Sequence, residues 1–394
     1  MRLEKAQLRQ EWDSDRKKNR RRILLAAALT AAVFLICLGF KYLPYERTEL
    51  FIPGKYYHSL LTRLGIALSG IFDGSYWHQR EDLIAAIGVI DYGGALSRLK
   101  ITGMAAAAGA GLAVAGAIFQ TIYRNPMASP NMLGATAGVQ LGNIMMVMMY
   151  SGEALVLIGM RYKLCYLLTA FCVGGVLILG KLAGDRTGNP SVLKMVMAGS
   201  IINQGLGTIA MYYMYNLSEE DLLTYQQITM GTYIDTKNVS LIIFFVLMAG
   251  SLLPMLFLRY RFNVTGIDDG EARASGVNPA PYRVVGQICG VLMTTAAMVH
   301  CGEAGMLSMV IPFIVRNAAG SDFRKLFSFS ALAGASLMMV CRTVSSCAFL
   351  RNSAGDVLVD ANLQVITLPA TFIVNICLLP FFMIILVRQR STFE

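Results

Sequence analysis

Between residues 98 and 142 an apolar run rich in Gly and Ala, 101–119, enters a polar knot, 120–131, and a second apolar run, 132–150, leaves it. Pro126 and Pro130 each remove a backbone N–H and push the preceding residue, Asn125 or Ser129, away from helical dihedrals, so neither helix runs through the knot. Gly109, Gly111, Gly116, Gly134, Gly138 and Gly142 leave helix faces thin enough for backbones to approach closely inside a membrane bundle. The pattern predicts two hydrophobic helices meeting at a rigid, hydrogen-bond-rich corner. The plainer reading of a Pro-containing corner is an ordinary loop between two spanning helices.

Composition decides what surrounds the corner. The chain of 394 residues is 55% hydrophobic and 15% charged, with a mean hydropathy of +0.55. A soluble fold of this size needs more polar surface, so most of the chain faces lipid or other membrane helices. A net charge of +10 raises nucleic acid as a partner, but the charges sit at helix ends and in the first 22 residues rather than on a patch. They read as a membrane-orientation signal, and no nucleic-acid partner is expected.

Apolar runs of spanning length fall near 23–40, 99–120, 131–150, 164–184, 194–215, 238–258, 284–300, 303–316, 327–346 and 365–387. Residues 1–22 form a basic segment with nine Lys/Arg against Glu4, Glu11, Asp13 and Asp15, which keeps this end in the cytoplasm. Ten spans then return the C-terminus to the same side. Under that topology the cytoplasmic segments hold 22 of the 34 Lys/Arg, so count and orientation support each other. The run 23–40 is too long for the apolar core of a signal peptide and leads into Lys41-Tyr42-Leu43-Pro44 rather than a small-residue cleavage site. It reads as a retained anchor. The external segment 41–97 is too polar and too punctuated to span, and it carries an amphipathic piece at 78–89. The segment 302–316 reaches only about 22 Å at ~1.5 Å per residue. With Pro312 inside, it reads as a short or broken helix held by neighbours.

Reactive constellations are missing from the sequence. No G-x-x-x-x-G-K-[ST] occurs, so ATP phosphates are not cradled by that device. No clustered Ser/His/Asp, Cys/His or paired carboxylates suggest catalysis, and the chain is not expected to be an enzyme. The eight cysteines lie mostly within apolar runs without C-x-x-C spacing and read as small buried hydrophobes. Met145, Met146, Met148 and Met149 admit a thioether site for haem or copper, or plain packing. His58, His78 and His300 are scattered, and no metal or cofactor is expected. Asn203 and Gln204 in an apolar run line a pathway or bond a neighbouring helix. Arg342, deep in its run, must find a partner, a polar cavity or the interface.

The string as a whole resembles the signature of the FecCD-type permeases, the membrane subunits of ATP-binding cassette (ABC) importers for iron–siderophores, haem and cobalamin. Arg98, 109–113, Gly116, Gln120, Asn125, Pro126, Ala128, Pro130, Leu133 and Gly134 fall at the offsets of that signature. Farther on, 267–277 is similar to the family's Leu-Gly-Glu-x-x-Ala-Arg-x-Leu-Gly-Val element, with Asp269, Ala272, Arg273 and Gly276 in register. The resemblance covers nearly all of the chain after residue 98. It departs at Phe313, Arg342 and Ser346, where the family has His, Asp and Arg, and at Lys100 and Ile101, where it has Pro and Arg.

The resemblance implies an all-α polytopic membrane protein of about ten transmembrane helices with the type II ABC importer permease fold. The permease domain would run over 23–394. It further implies two ATPase subunits, a second permease copy or paralogue, and an extracytoplasmic substrate-binding protein in a bacterial plasma membrane. On it, Asn125, Pro126, Met127, Val192 and Leu193 form a cytoplasmic gate and Gln120, Asn203 and Gln204 face the translocation path, to which the depth of its charge adds Arg342. The short helices near Asp269, Ala272, Arg273 and Gly276 seat in a groove of the ATPase, and Arg98 with Lys100 docks the binding protein. A positive residue at a helix end is also an ordinary headgroup anchor. An ion-coupled secondary transporter is the rival reading, but the predicted spans hold almost no Asp or Glu for it to use.

Overall fold

A computed structural model describes residues 2–39, 92–149, 158–182, 192–231, 238–266, 269–347 and 368–390. The described residues form helices and turns. Ten helices coincide with the ten apolar runs, the first five being α1 (Arg2–Gly39), α2 (Tyr92–Ile122), α3 (Ala135–Met149), α4 (Ile158–Leu182) and α5 (Val192–Tyr215). After a short α6 (Glu219–Thr229) come α7 (Asn238–Thr265), a one-and-a-half-turn α8 (Asp269–Ala274), α9 (Pro279–Cys301), α10 (Gly305–Ala319), α11 (Phe323–Cys347) and α12 (Ala370–Arg390). Within α1, α2, α7, α9 and α11 lie five stretches long and apolar enough to cross a membrane, while α3, α4, α10 and α12 contain shorter apolar helices. The basic segment, from Arg2 to residue 22, continues as helix into the first span without a break. The amphipathic piece at 78–89 and the loops 185–191 and 351–362 lie outside the described residues.

Glycine spacing explains why α2 becomes the hub. It packs against α11, α9, α10 and α7, and α11 crosses it where each of Gly109 and Gly334 has room only for hydrogen against the other's carbonyl. On the next face an added Cβ at Gly116 would collide with the Ser308 carbonyl of α10. That carbonyl is free for a reason four residues away. Pro312 has no N–H to give it, so the oxygen is left to face Gly116, where a Cα–H can approach it. The sequence reads this segment as a short or broken helix held by neighbours; α10 is the short one, running unbroken from Gly305 to Ala319 because its neighbour accommodates the gap at Pro312. Gly138 and Gly142 do for α3 and α4 what Gly109 does for α2 and α11, meeting the backbone at Thr169 and Cys165.

Large side chains fill what remains. Phe119, Phe244, Phe262, Phe323, Met104, Leu112 and Ile118 are fully buried between α2, α7, α9 and α11. Six cysteines (37, 165, 172, 289, 301 and 341) are buried as free thiols, in keeping with small hydrophobic packing. His300 is structural in the same sense: it stacks on Tyr162 with ring centroids 4.3 Å apart, and its Nδ1 lies 3.2 Å from Ser240 Oγ. Tyr162 Oη and Ser240 Oγ, 2.6 Å apart, complete a polar chain joining α4, α7 and α9. Such bonds hold helices together where lipid offers no hydrophobic drive between them.

Candidate functional site

The corner forms as the prolines require. Ser129 is extended (φ −143°, ψ 158°) ahead of Pro130, which opens a 3-10 turn over Pro130–Leu133. Asn125 Oδ1 accepts the Met127 N–H at 2.9 Å and its carbonyl accepts the Ala128 N–H at 3.0 Å, a side-chain-mimicked turn that fixes Asn125, Pro126 and Met127. Gly134 closes the turn at φ +82°, so its role is backbone conformation rather than close approach. Gln120, buried at the end of α2, donates to the Met309 carbonyl at 2.8 Å. From the other side Asn203 of α5 donates to the Asn131 carbonyl at 2.9 Å, and Gly199 leaves room for the Met132 carbonyl. The corner is therefore tied to α10 and α5 at once. Val192 and Leu193 lie in the first turn of α5, with their side chains outside the described set.

Above the corner lies a cavity of about 560 Å³, lined among others by Asn131, Gln140, Thr229, Glu303, Thr371 and Asn375. Six elements meet there: the corner, α3, the end of α6, the α9–α10 connection, α10 and α12. The end of α6 is its pivot. Three successive carbonyls, Thr229, Met230 and Gly231, accept hydrogen bonds from three different elements: the Glu303 N–H (3.1 Å), the Thr371 hydroxyl (2.9 Å) and Arg342 Nη1 (2.8 Å). These are the carbonyls a helix C-terminus leaves orphaned, and a guanidinium there also meets the negative end of the helix dipole. Arg342 is thus 8% exposed and held by α6. Sequence reasoning demands a partner for it and has no means to name one 111 residues away.

A second cavity of about 540 Å³ opens below, lined by Gln120, Arg124, Asn263, Phe313, Arg316 and Ser321 among others. It adjoins the segment expected to contact an ATPase. Asn263 at the end of α7 donates to Asp322 Oδ1 (2.9 Å) and accepts the Phe323 N–H (2.6 Å), while Arg324 grips both Asp322 oxygens at 3.2 and 3.0 Å. Partial burial raises the Asp322 carboxyl, but the bonds from Arg324 and Asn263 outweigh it and hold it below the usual carboxylate range. Next to this brace α8 buries Ala272 and exposes Glu271 and Arg273. It ends in a Schellman cap, Gly276 N–H to Arg273 carbonyl and Val277 N–H to Ala272 carbonyl, with Gly276 at φ +76°. Asn278 and Pro279 start α9 immediately, so α8 projects as a small fixed knob. Asp269 opens α8, its side chain outside the described set.

Two expected positions lie apart from these clusters. Gln204 is on the exposed face of α5. Lys100 Nζ donates to Asn238 Oδ1 at 3.0 Å, tying the start of α2 to the start of α7; the Arg98 side chain is outside the described set. Sequence reasoning missed α6 and Glu303. Ser218 followed by Glu219, Glu220 and Asp221 is an N-terminal signature, and Ser218 does cap α6 by accepting the Asp221 N–H. Glu303 was hidden in a short break between two apolar runs.

Among known proteins, the FecCD transport family model matches residues 66–388. A permease protein named for iron chelatin transport in Helicobacter pylori is 25% identical over 248 residues, 63% of this chain and 72% of the relative. The molybdate import system permease protein of Haemophilus influenzae is 28% identical over 245 residues (60% and 68%). The hemin transport system permease protein of Yersinia pestis is 26% identical over 250 residues (63% and 73%). A solved structure described as an inward-facing conformation of a metal-chelate type ABC transporter shares the fold, with TM-score 0.67 at 20% identity over 94% of this chain and 99% of that one. The chain belongs to the FecCD transport family: it is a multi-pass membrane permease of the ABC transporters, whose ATPase is a separate subunit.

Proposed function

We propose that this permease forms, with a second copy or a paralogue, a path for an iron–siderophore, haem or cobalamin-type cargo moving into the cytoplasm. The observation that carries the reading is the outer face of α5. Ser200, Gln204 and Thr208 recur there at i, i+4 and i+8 as an exposed polar stripe. Lipid would make such a stripe costly, so it suits a water-filled path or a partner subunit. Asn203, Gln120 and the cavity above the corner lie behind it, and Arg342 acts on the path by anchoring α6. The turn at Asn125, Pro126 and Met127, with Val192 and Leu193, serves as the inner gate. The α8 knob, with Asp269, Ala272, Arg273 and Gly276, seats in the ATPase, whose two copies drive alternating access. Both termini are cytoplasmic on this reading, and Arg98 with Lys100 meets a substrate-binding protein outside.

Relatives named for molybdate as well as iron chelates and hemin make the cargo the open variable. The test is co-expression with candidate ATPase subunits, reconstitution, and measurement of ATP hydrolysis and uptake with ferric chelates, haem, cobalamin and molybdate. Stimulation by a ferric chelate, haem or cobalamin is expected. Uptake driven by an ion gradient with no ATPase present would overturn the reading.

A further inference from the structure

The cavity above the corner has an electrostatic character that the packing of the helices does not explain. Glu303 sits in the α9–α10 connection, half-buried, and lines the cavity. One oxygen, Oε2, accepts from Gln140 Nε2 at 2.9 Å. Among the described residues no cationic side chain bonds to it, for Arg342 is committed to the Gly231 carbonyl and the Glu303 N–H to the Thr229 carbonyl. A carboxylate recessed in a membrane bundle without a counter-charge is unfavourable. Asn131 and Asn375 line the same cavity, and each carries a buried Oδ1 with no hydrogen-bond partner. Oxygen and nitrogen of an amide exchange on a flip, so the two asparagines adapt to a ligand while the carboxylate sets its charge. The three groups arrive from the corner, the α9–α10 connection and α12, elements distant in sequence. A space of about 560 Å³ gives them room for a guest larger than a water molecule.

We propose that Glu303, Asn131 and Asn375 form a cation-binding niche in the wall of the path, which takes a donor-bearing positive group such as a primary ammonium. A carboxylate and two amides match an ammonium's three N–H donors. The group is either carried on the cargo or is a free ammonium ion. The cargo half of the proposal rests on the permease reading above; the binding half does not.

The binding arm uses the purified full chain. Thermal midpoints are recorded in ethylammonium, tetramethylammonium and sodium chloride at equal ionic strength, for wild type and for Glu303→Gln, whose amide oxygen still accepts from Gln140. Ethylammonium should raise the midpoint of wild type by several degrees, and Glu303→Gln should lose that rise; tetramethylammonium, which has no N–H, should not reproduce it. A Glu303-dependent rise with sodium as large as that with ethylammonium would overturn the donor-bearing occupant, because sodium has no N–H to give. Equal shifts in both proteins, or none in wild type, would overturn the proposal. In the reconstituted complex, the preference for an ammonium-bearing ferric chelate over a neutral one, as a ratio of KM values, should fall about tenfold in Glu303→Gln, as expected for loss of a charge-assisted bond. If no ferric chelate is carried at all, the cargo reading fails and the binding arm still judges the niche.

Discussion

Helices α5 and α7 both turn a broad face outward, and the two faces differ in kind. On α7 the exposed positions between Val239 and Phe257 are Val239, Ile242, Phe245, Val246, Ala249, Gly250, Leu253, Leu256 and Phe257, with Tyr260 and Arg261 exposed only in the last turns, while Ser240 and Ser251 point inward. That is an inside-out amphipathic helix, the pattern lipid selects. On α5 the exposed set mixes Met197, Ile201, Met211 and Tyr212 with Ser200, Gln204 and Thr208. The same bundle therefore meets two different environments. The lesson is that exposure alone does not separate a lipid-facing helix from a path-facing one; the polarity of the exposed positions does.

Packing density sharpens the comparison, and substitutions give ways to break it. The largest effect is expected at the hub. Gly116→Ala drives a methyl into the Ser308 carbonyl, and Gly109→Ala does the same at Gly334. Each should cost more than about 3 kcal/mol, the upper end of overpacking penalties, because backbone rather than a side chain must move. The yield of monodisperse protein in size-exclusion chromatography should collapse. Next comes the α6 anchor. Arg342→Met leaves the Gly231 carbonyl without its donor, which should cost about 1–3 kcal/mol and lower the thermal midpoint. Ser200→Leu on α5 should then leave that midpoint nearly unchanged while reducing uptake, if the stripe faces the path.

Smaller effects concern the cytoplasmic knob and the loose side of the bundle. Charge reversal at both Asp269 and Arg273 should leave expression intact and reduce the coupling of ATP hydrolysis to uptake by about tenfold, the scale of one lost charge-assisted contact. Unchanged uptake would remove α8 from the coupling role. Asp322 adds a pH dependence. Its carboxyl is held low in the folded state, so its contribution is present above the unfolded value near 4 and fades as pH falls through the lower folded value. Asp322→Asn should flatten the acid side of the stability profile. The smallest change is expected for Gly207→Ala, where an added Cβ meets nothing within 4 Å and helix propensity improves by up to about 1 kcal/mol. Gly207→Ala and Gly116→Ala should thus move stability in opposite directions although both glycines lie in apolar helices.

The sequence made the hub legible because its signals are local or periodic. Ten apolar runs, the proline corner, the short α10 and the cap at Gly276 each follow from neighbours within a few residues. What it hid depends on pairings across the chain. Arg342 and Gly231, Gln140 and Glu303, or Gly116 and the Ser308 carbonyl are separated by more than a hundred residues, and nothing in composition joins them. Helix α6 was the avoidable miss, since its Ser218 cap and acidic first turn are helix signals that polarity disguised as an external loop.

The contrast between α5 and α7 can be measured directly by cysteine cross-linking in membranes, in a background cleared of reactive native thiols. Single cysteines at Gln204 and Thr208 should give disulfide-linked dimers or react with a water-soluble maleimide, whereas cysteines at Ile242 and Leu253 should do neither and be labelled only by lipid-soluble reagents. Labelling of α7 from water, or α5 positions reached only through lipid, would contradict the assignment of α5 to the path.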